Sequence, residues 1–238
     1  MNMIDQMINA HGGMGMWTKF ERIIVTLSFG GWAFRLKGSQ MRTRRTRLII
    51  SLDQPMVVIR DFPCPGSQGI FTPDHTWIES ETASEIHRYH PEEIIKMFSH
   101  SIFWDDLDLL YFVGYACWNY FNIPFLFAHE SFQFEELPDW VEQERKLKRV
   151  KVTFPVDIPT HCRCQIFYID AFDRIFRHDY DPTSYASWAK AAHYCFDYRR
   201  FYGIWLPTKR IVRPRNRNGT VLRFPELVKI EVHEVHFQ

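Results

Sequence analysis

The sequence has 238 residues, enough for one domain with a large core that needs no disulfide bonds for support. Its 29 lysines and arginines almost balance its 28 aspartates and glutamates, so no overall field draws the chain to nucleic acid or to an anionic membrane. An odd number of cysteines without a Cys-x-x-Cys pair argues against a disulfide framework and for a reducing compartment. The cysteines are Cys64, Cys117, Cys162, Cys164 and Cys195.

The N-terminal segment predicts a short amphipathic helix. Residues 2–10 place methionines and isoleucines at helical spacing, and Gly12 follows as a stop signal. Asp5 lies early, and no cationic start is followed by an apolar run, so the segment lacks the pattern of a signal peptide. We therefore expect a cytoplasmic location.

From Glu21 the apolar period changes to two, which is typical of strands. Residues 21–29 place Ile23, Val25 and Leu27 on one face. Further segments rich in β-branched and aromatic residues are separated by Gly, Pro or Asp, and we interpret the acidic segment 135–144 as a loop between two of them. The segments, which predict roughly a dozen strands with 21–29, are 32–38, 42–54, 55–62, 69–80, 85–90, 148–156, 162–170, 174–180, 191–201, 203–212 and 227–237.

Two helices are predicted between the two runs of strands. Pro91 and the glutamates after it favour a helix start, which gives a short helix over 92–98. Residues 105–121 form a second helix that is apolar nearly all round and must be covered on more than one side. Its aspartates Asp105, Asp106 and Asp108 fit capping and the helix dipole, and a contact with a cationic or hydroxylated ligand is the alternative.

The apolar stretch 109–128 is long enough to cross a bilayer. Asn119, Asn122 and Pro124 interrupt it, and no basic cluster flanks it as membrane topology would require. We interpret it as a buried helix and expect no stable membrane insertion. No internal repeat or linker divides the chain, so residues 1–238 predict a single domain.

Two passages carry a resemblance to a known superfamily. "INAHGGMGMWTKFERIIVTLSF" at 8–29 and "HYCFDYRRFYGIWLPTKRIV" at 193–212 resemble the opening and the late hairpin of the lipoprotein carriers of the LolA/LolB type. The whole chain, with "FTPDHTWIES", "FVGYACWNYF" and "RHDYDP", is also similar to an uncharacterised bacterial family of this length.

The resemblance implies a fold and a kind of ligand. The fold is α+β and mostly β: a single antiparallel incomplete β-barrel of about 11 strands wrapped around central helices. Carriers of this superfamily hold acyl chains in an apolar cavity between the sheet and the helices. The high aromatic content, with 21 Phe, 10 Tyr and 8 Trp, suits such a sheet.

Four consecutive residues with ionisable side chains, Arg177-His178-Asp179-Tyr180, form the strongest candidate for a catalytic site. On a strand, His178 and Tyr180 share a face with Phe176, while Arg177 and Asp179 point the other way. A simple hairpin would set Tyr180 opposite Ala191, His178 opposite His193 and Phe176 opposite Cys195. Two imidazoles in an apolar pocket could exchange protons near neutral pH. The candidate catalytic residues are therefore His178, His193, Tyr180 and Asp179, and the alternative is satisfied polar groups on a sheet surface.

Other chemistries have weaker signals. His161, Cys162 and Cys164 match no standard zinc spacing, so no metal site is expected. Walker, GxGxxG, GxSxG and HExxH motifs are absent from the sequence, and we expect no cofactor. The basic segments 41–47 and 207–217 lack interleaved aromatics, so we interpret them as solvated strand faces and loop ends rather than a nucleic-acid site.

These observations predict a protein that binds a lipophilic small molecule between the curved sheet and the helix at 105–121. The alternative is a cofactor-independent cyclase, isomerase or lyase acting on an apolar, natural-product-like substrate in the same cavity, and a third possibility is an interaction protein without a ligand. The sequence does not predict the oligomeric state. The candidate ligand-binding residues are Trp104, Phe112, Tyr115, Trp118, Phe121 and Phe176.

Overall fold

The computed structural model describes residues 1–38, 45–97, 100, 103–181 and 190–238. Its helices are α1 Met3–Ala10, α2 Met14–Trp17, α3 Trp32–Leu36, α4 Pro91–Ile94 and α5 Asp106–Asn122, with a 3-10 helix at Phe125–Ala128. Its strands are β1 Arg22–Gly30, β2 Arg45–Ser51, β3 Val57–Arg60, β4 Ser67–Phe71, β5 His75–Ser80, β6 Ile86–Tyr89, β7 Gln133–Glu142, β8 Arg145–Thr153, β9 Cys164–Ile169, β10 Ile175–Tyr180, β11 Ala191–Phe201, β12 Ile204–Pro214 and β13 Val228–Phe237.

All thirteen strands belong to one antiparallel sheet. Their spatial order is β6-β5-β4-β3-β2-β1-β13-β12-β11-β10-β9-β8-β7. Strands that follow each other in sequence are therefore neighbours, except that β6 and β7 lie at opposite edges and β1 pairs with β13. Within the described ranges no ladder joins the edge strands β6 and β7. The sheet is therefore an open, incomplete barrel, which confirms the predicted fold class.

The inner face of the sheet is apolar because its strands keep the period of two. In β1, Ile23, Val25 and Leu27 are fully buried, as the alternation predicts. α5 lies against this face and packs on strands β2 to β5. Almost every residue of α5 is buried, in agreement with its apolar character on all sides.

Small residues allow α5 to approach the sheet closely. A Cβ on Gly114 would collide with the ring of Phe71 on β4, and a Cβ on Gly69 would lie 2.8 Å from the Leu110 side chain of α5. The start of α5 is fixed by a capping box, in which Asp105 accepts from the Asp108 amide and Asp108 accepts from the Asp105 amide. Capping, as expected, is one role of these aspartates.

None of the helices in the described part of the chain combines the length and the apolar character needed to cross a membrane.

Three segments differ from the predictions. Residues 32–36, predicted as a strand, form α3, because Gly31 turns the chain at φ 112° beside the backbone of Leu227. The acidic segment 135–144, predicted as a loop, is mostly the edge strand β7; such strands are often charged and carry proline, here near the irregularity after Leu137. Residues 69–80 form two strands rather than one.

The remaining strand boundaries lie within three residues of the predictions, and the helices differ as follows. α1 begins one residue later than expected, α5 covers 106–122 instead of 105–121, and α4 is shorter than the helix predicted over 92–98. Positions 42–44 of a predicted strand and position 98 of that helix lie outside the described residues.

Candidate functional site

β10 and β11 pair in the register that the sequence predicts. His178 lies opposite His193, and Tyr180 lies opposite Ala191. Both histidines and Tyr180 are buried on the inner side of the sheet, among aromatic rings that include Tyr120 of α5. Cys195 also lies in the inner core.

Phe176 does not share this face. The pairing of β10 with β9 shifts register between Ile175 and Arg177, which turns Phe176 to the outer side of the sheet. There its ring contacts Tyr194 edge-to-face at 5.7 Å and lies under the Arg145 guanidinium. The prediction that Phe176 faces the interior beside His178 is wrong, because the alternation of faces is interrupted at this position. The β10–β11 ladder runs from Arg177 to Tyr180, so the predicted pairing of Phe176 with Cys195 is not part of it and stays a prediction.

Asp179 also lies on the outer side, in a buried ion network. Arg177 donates two hydrogen bonds to its carboxylate, at 2.6 Å and 2.7 Å, and Tyr168 donates a third. Arg177 also donates to Glu142 of β7, and Arg215 lies 3.3 Å from Asp179. These contacts satisfy the carboxylate and link β10 to the edge strand. The sheet thus separates Asp179 from the other three candidate catalytic residues.

The inner residues form a compact buried cluster. The rings of His178 and His193 are 4.3 Å apart, that of Tyr120 is 4.6 Å from His193, and that of His161 is 4.1 Å from Tyr180. The His178 Nδ1 atom faces the Gln165 side-chain oxygen at 3.1 Å. Because the Gln165 amide nitrogen donates to the Cys162 carbonyl, the oxygen accepts and His178 carries its proton on Nδ1.

Arg210 of β12 brings a charge into this cluster. It donates to the Tyr120 carbonyl and to the Cys195 sulfur, and its Nη1 lies 3.5 Å from His193 Nε2. No carboxylate of the described residues forms an ion pair with it, and the segments outside the described ranges contain no Asp or Glu. The predicted solvated role of segment 207–217 is therefore wrong at Arg210, which is buried.

Burial and the Arg210 charge set the protonation of the two histidines. Burial lowers the pKa of His178 and of His193 well below the ordinary 6.5, and the positive charge of Arg210 lowers both further. Both imidazoles are therefore neutral at pH 7. This state does not favour the expected proton exchange near neutral pH, and the acid–base role of the pair stays a prediction.

The space beside these histidines is small. A cavity of about 10 Å³ is lined by His178, Tyr120, Cys195, Tyr198 and Arg210, among others. This volume is at the lower limit for one water molecule, so the cavity has no room for a lipophilic ligand as it stands.

His161 contacts Tyr180 of the buried cluster and also lines a larger, half-open pocket of about 470 Å³. Its floor is formed by Tyr111 and Tyr115 of α5, whose rings are 5.3 Å apart. The walls come from the β4–β5 turn, from the α4 region and from residues 155–163, which connect β8 to β9. They include Pro73, Asp74, Glu92, Ile95, Lys96, Pro155, Val156, Asp157, Ile158, Pro159, Thr160, His161 and Arg163.

Hydrogen bonds to α5 hold one wall of this pocket in place. The Asn119 side chain donates to the Pro159 carbonyl at 2.7 Å and to the Tyr115 carbonyl at 2.8 Å. On the opposite wall, the His90 amide donates to the Asp74 carbonyl, which joins the start of α4 to the β4–β5 turn. The β4–β5 turn with the start of α4 and the β8–β9 connection, which come from opposite ends of the strand order, therefore meet over α5.

His161 forms the inner end of the pocket. It is buried, and its Nε2 has no hydrogen-bond partner in the described part of the chain. Burial lowers the pKa of His161 to about 3, so the imidazole is neutral and can either donate or accept one hydrogen bond from Nε2. Burial raises the pKa of Tyr111, and the nearby Glu92 and Asp74 carboxylates raise it further.

Three solved structures have the same architecture along nearly their whole length. A LolA superfamily protein from Nitrosomonas europaea has a TM-score of 0.53 at 8% identity, covering 99% of this chain and 92% of its own. The chain has the LolA fold. A domain described as an outer membrane lipoprotein-sorting protein from Vibrio parahaemolyticus has a TM-score of 0.53 at 14% identity, with 97% and 94% covered. A DUF1329 family protein from Desulfovibrio piger has a TM-score of 0.52 at 10% identity, with 99% and 91% covered.

No protein-family model matches the sequence, and no curated protein matches it. The likeness to the LolA superfamily is therefore one of fold.

The LolA fold distributes the predicted ligand-binding residues over several places. Tyr115 lines the 470 Å³ pocket. Trp118 and Phe121 lie in the packed core, where the Trp118 indole donates to the Ser51 carbonyl. Phe112 packs against Trp104 and Phe34, on a different part of α5.

Sequence reasoning missed Tyr111, Ile158 and most of the pocket wall, and it weighed His161 only as a metal ligand. The available signal was the pair of prolines in "PVDIPTH" at 155–161, which marks an irregular connection between two strands.

One group of potential metal ligands occurs in the described ranges. His100, Asp105 and Asp108 lie close enough to share an ion. Arg88, however, donates to Asp105 and Asp108 at 2.6 Å each, so both carboxylates already have a cationic partner. His161, Cys162 and Cys164 do not form such a group there, and the Cys162 thiol donates to the Cys164 carbonyl instead.

Proposed function

We propose that the protein binds a lipophilic small molecule in the pocket between α5 and residues 155–163. The observation that carries the proposal is the pocket itself, with a volume of about 470 Å³ and a floor of two tyrosine rings. Volumes of roughly 300–1,000 Å³ are typical of small-molecule sites, which are mostly apolar with a few polar groups.

The location differs from the cavity that the sequence suggests. The interface between α5 and the sheet is filled by its own side chains, such as Trp118 and Phe121, whereas the pocket opens beside the helix. Ile95, Ile158 and the prolines at 73, 155 and 159 supply apolar wall, so a hydrocarbon body would lose contact with water there. Each Å² of apolar surface removed from water contributes about 25 cal/mol.

The fold supports this proposal. The Vibrio parahaemolyticus relative is described as a lipoprotein-sorting protein, which is consistent with a lipophilic ligand in a shared architecture. Catalysis has no comparable support, because His178 and His193 do not line the pocket. The alternative of a cofactor-independent cyclase, isomerase or lyase stays a prediction.

Two measurements test the proposal. Native mass spectrometry of the purified protein is expected to show a co-purified lipophile, and titration with the uncharged fluorophore N-phenyl-1-naphthylamine is expected to saturate at one site. Ile158→Asp places a charge in the pocket wall and should weaken binding at least tenfold. Ile86→Asp, an exposed isoleucine on β6 outside the pocket, is the matched control and should change nothing. Equal affinity of the two variants would overturn the proposed location.

A further inference from the structure

The pocket between α5 and residues 155–163 combines aromatic rings with acidic groups. Tyr111, Tyr115 and His161 follow one another along its floor, with ring centroids 5.3 Å and 5.7 Å apart. All three side chains are more than nine-tenths buried, and His161 Nε2 has no partner among the described residues. An unpaired buried nitrogen of this kind costs free energy unless a ligand or water supplies the missing hydrogen bond.

Two carboxylates converge on the same floor. The hydrogen bond between the His90 amide and the Asp74 carbonyl brings the β4–β5 turn to the start of α4, so Asp74 and Glu92 both lie near Tyr111. The Oε2 atom of Glu92 is buried without a hydrogen-bond partner, and neither acid forms an ion pair within the described ranges. A buried carboxylate oxygen without a donor is a second polar atom that lacks its partner.

The cations on the pocket wall form no ion pair with these acids in the described ranges. Arg163 is directed to the Phe154 carbonyl, to which its Nε and Nη2 donate at 3.3 Å each. Lys96 is exposed and forms no ion pair with Asp74 or Glu92. The aromatic floor therefore borders two carboxylates that no cation of the described residues pairs with directly.

From this arrangement we infer that the ligand carries a positively charged amine on its lipophilic body. An ammonium group above the faces of Tyr111 and Tyr115 gains a cation–π interaction, and it donates to Glu92 Oε2 at the same time. An acidic head group would instead meet like charges at Asp74 and Glu92. The inference rests on the proposed function, because it names the chemical class of the ligand for the same pocket.

The test compares three ligands with one hydrocarbon chain: dodecylamine, dodecanol and dodecanoate. Calorimetric titration at pH 7, below the micelle concentrations, is expected to give the tightest binding for dodecylamine, about tenfold tighter than dodecanol. This ratio corresponds to about 1.4 kcal/mol. Dodecanoate is expected to bind most weakly.

Variants of α4 separate the carboxylate from general charge effects. Glu92→Gln should weaken dodecylamine about tenfold and leave dodecanol unchanged. Glu93→Gln removes the same charge one residue away, at an exposed position that does not line the pocket, and should affect neither ligand. Thermal unfolding of both variants checks that the fold is intact.

The outcomes distinguish failure of the inference from failure of the proposed function. Equal affinities for amine and alcohol, or tightest binding of dodecanoate, would overturn the amine while leaving a lipophile site in place. Loss of amine binding in Glu93→Gln as well as in Glu92→Gln would also overturn it. Failure of all three ligands to bind would reject the amine and the proposed function together.

Discussion

Arg177 and Asp179 lie two residues apart on β10 and form a buried two-bond ion pair, with Nε–Oδ1 at 2.6 Å and Nη2–Oδ2 at 2.7 Å. His178 between them points to the opposite side of the sheet, into the cluster with His193. Consecutive residues of one strand therefore serve two separate purposes. The outer pair joins β10 to β7 through Glu142, and the inner residues lie beneath α5.

Removal of Arg177 should destabilise the protein strongly. Arg177→Met leaves the Asp179 carboxylate buried without its main partner, and the loss of one member of a buried pair costs about 3–5 kcal/mol. Chemical denaturation monitored by tryptophan fluorescence measures the change. Arg217→Met, at an exposed arginine, is the control and should shift stability by less than about 0.5 kcal/mol. Equal effects of the two substitutions would contradict the role of the network.

Gly114 should tolerate no side chain. In Gly114→Ala, the new Cβ collides with the Phe71 ring, and overpacking of this kind costs about 1–3 kcal/mol despite the better helix propensity of alanine. Gly15→Ala, where no atom lies within 4 Å of the new Cβ, should be neutral or slightly stabilising. Thermal unfolding compares the two. A Gly114→Ala protein as stable as the wild type would show that α5 can move away from β4.

Stability should fall as the solution becomes mildly acidic, because buried histidines resist protonation. Burial lowers the pKa of His11 from 6.5 to about 4, so the unfolded chain binds a proton in this range that the folded chain does not. The contribution of His11 to the free energy of unfolding is therefore fully present above pH 6.5. It declines as the pH falls towards 4, by about 3 kcal/mol in total. Denaturation between pH 7.5 and 4.5 measures the slope.

His11→Asn should flatten that slope, since it removes the titrating group while keeping a polar side chain for the Met7 carbonyl, which His11 contacts through Nδ1 at 2.7 Å. His236→Asn, at an exposed histidine on β13, should leave the slope unchanged. A pH profile identical in all three proteins would contradict the assignment to buried His11.

Arg210 should control the protonation of the inner histidines. Arg210→Met removes a positive charge that lowers the pKa of both His178 and His193, so both pKa values should rise, while burial keeps them below 6.5. Arg210→Lys retains the charge and should shift them less. Imidazole resonances followed by NMR as a function of pH provide the measurement. Unchanged pKa values in Arg210→Met would mean that burial alone sets the neutral state.

The parts of the molecule that the sequence predicts well are those governed by local periodicity. α5 and the pairing of His178 with His193 follow from apolar spacing and from a simple hairpin, and both are confirmed. The side of the sheet occupied by Phe176 depends on one irregular residue in the β9–β10 pairing, which no alternation pattern reveals. Edge strand β7 also lacks a clear alternation of apolar and polar residues, because it pairs only with β8 and its side chains are largely exposed.

The pocket could not be predicted in the same way. Its lining comes from residues near 73, 92, 111 and 158, which are distant in sequence. They meet because the β4–β5 turn, α4 and the β8–β9 connection all lie against α5. Arg210 illustrates the converse problem. Its basic sequence neighbours indicate a solvated strand, yet the inward face of β12 buries it next to Tyr120.

The pairing of β1 with β13 has a consequence for synthesis on the ribosome. β2 can pair with β1 as soon as it emerges, and β3 to β6 can then add one after another, but the other edge of β1 must wait for residues 228–237, some two hundred positions later. Until then the nascent chain exposes an unpaired strand beside a half-built core. Contacts of such long separation slow folding and leave time for wrong associations, so we expect chaperones that shield strand edges to raise the yield of this protein.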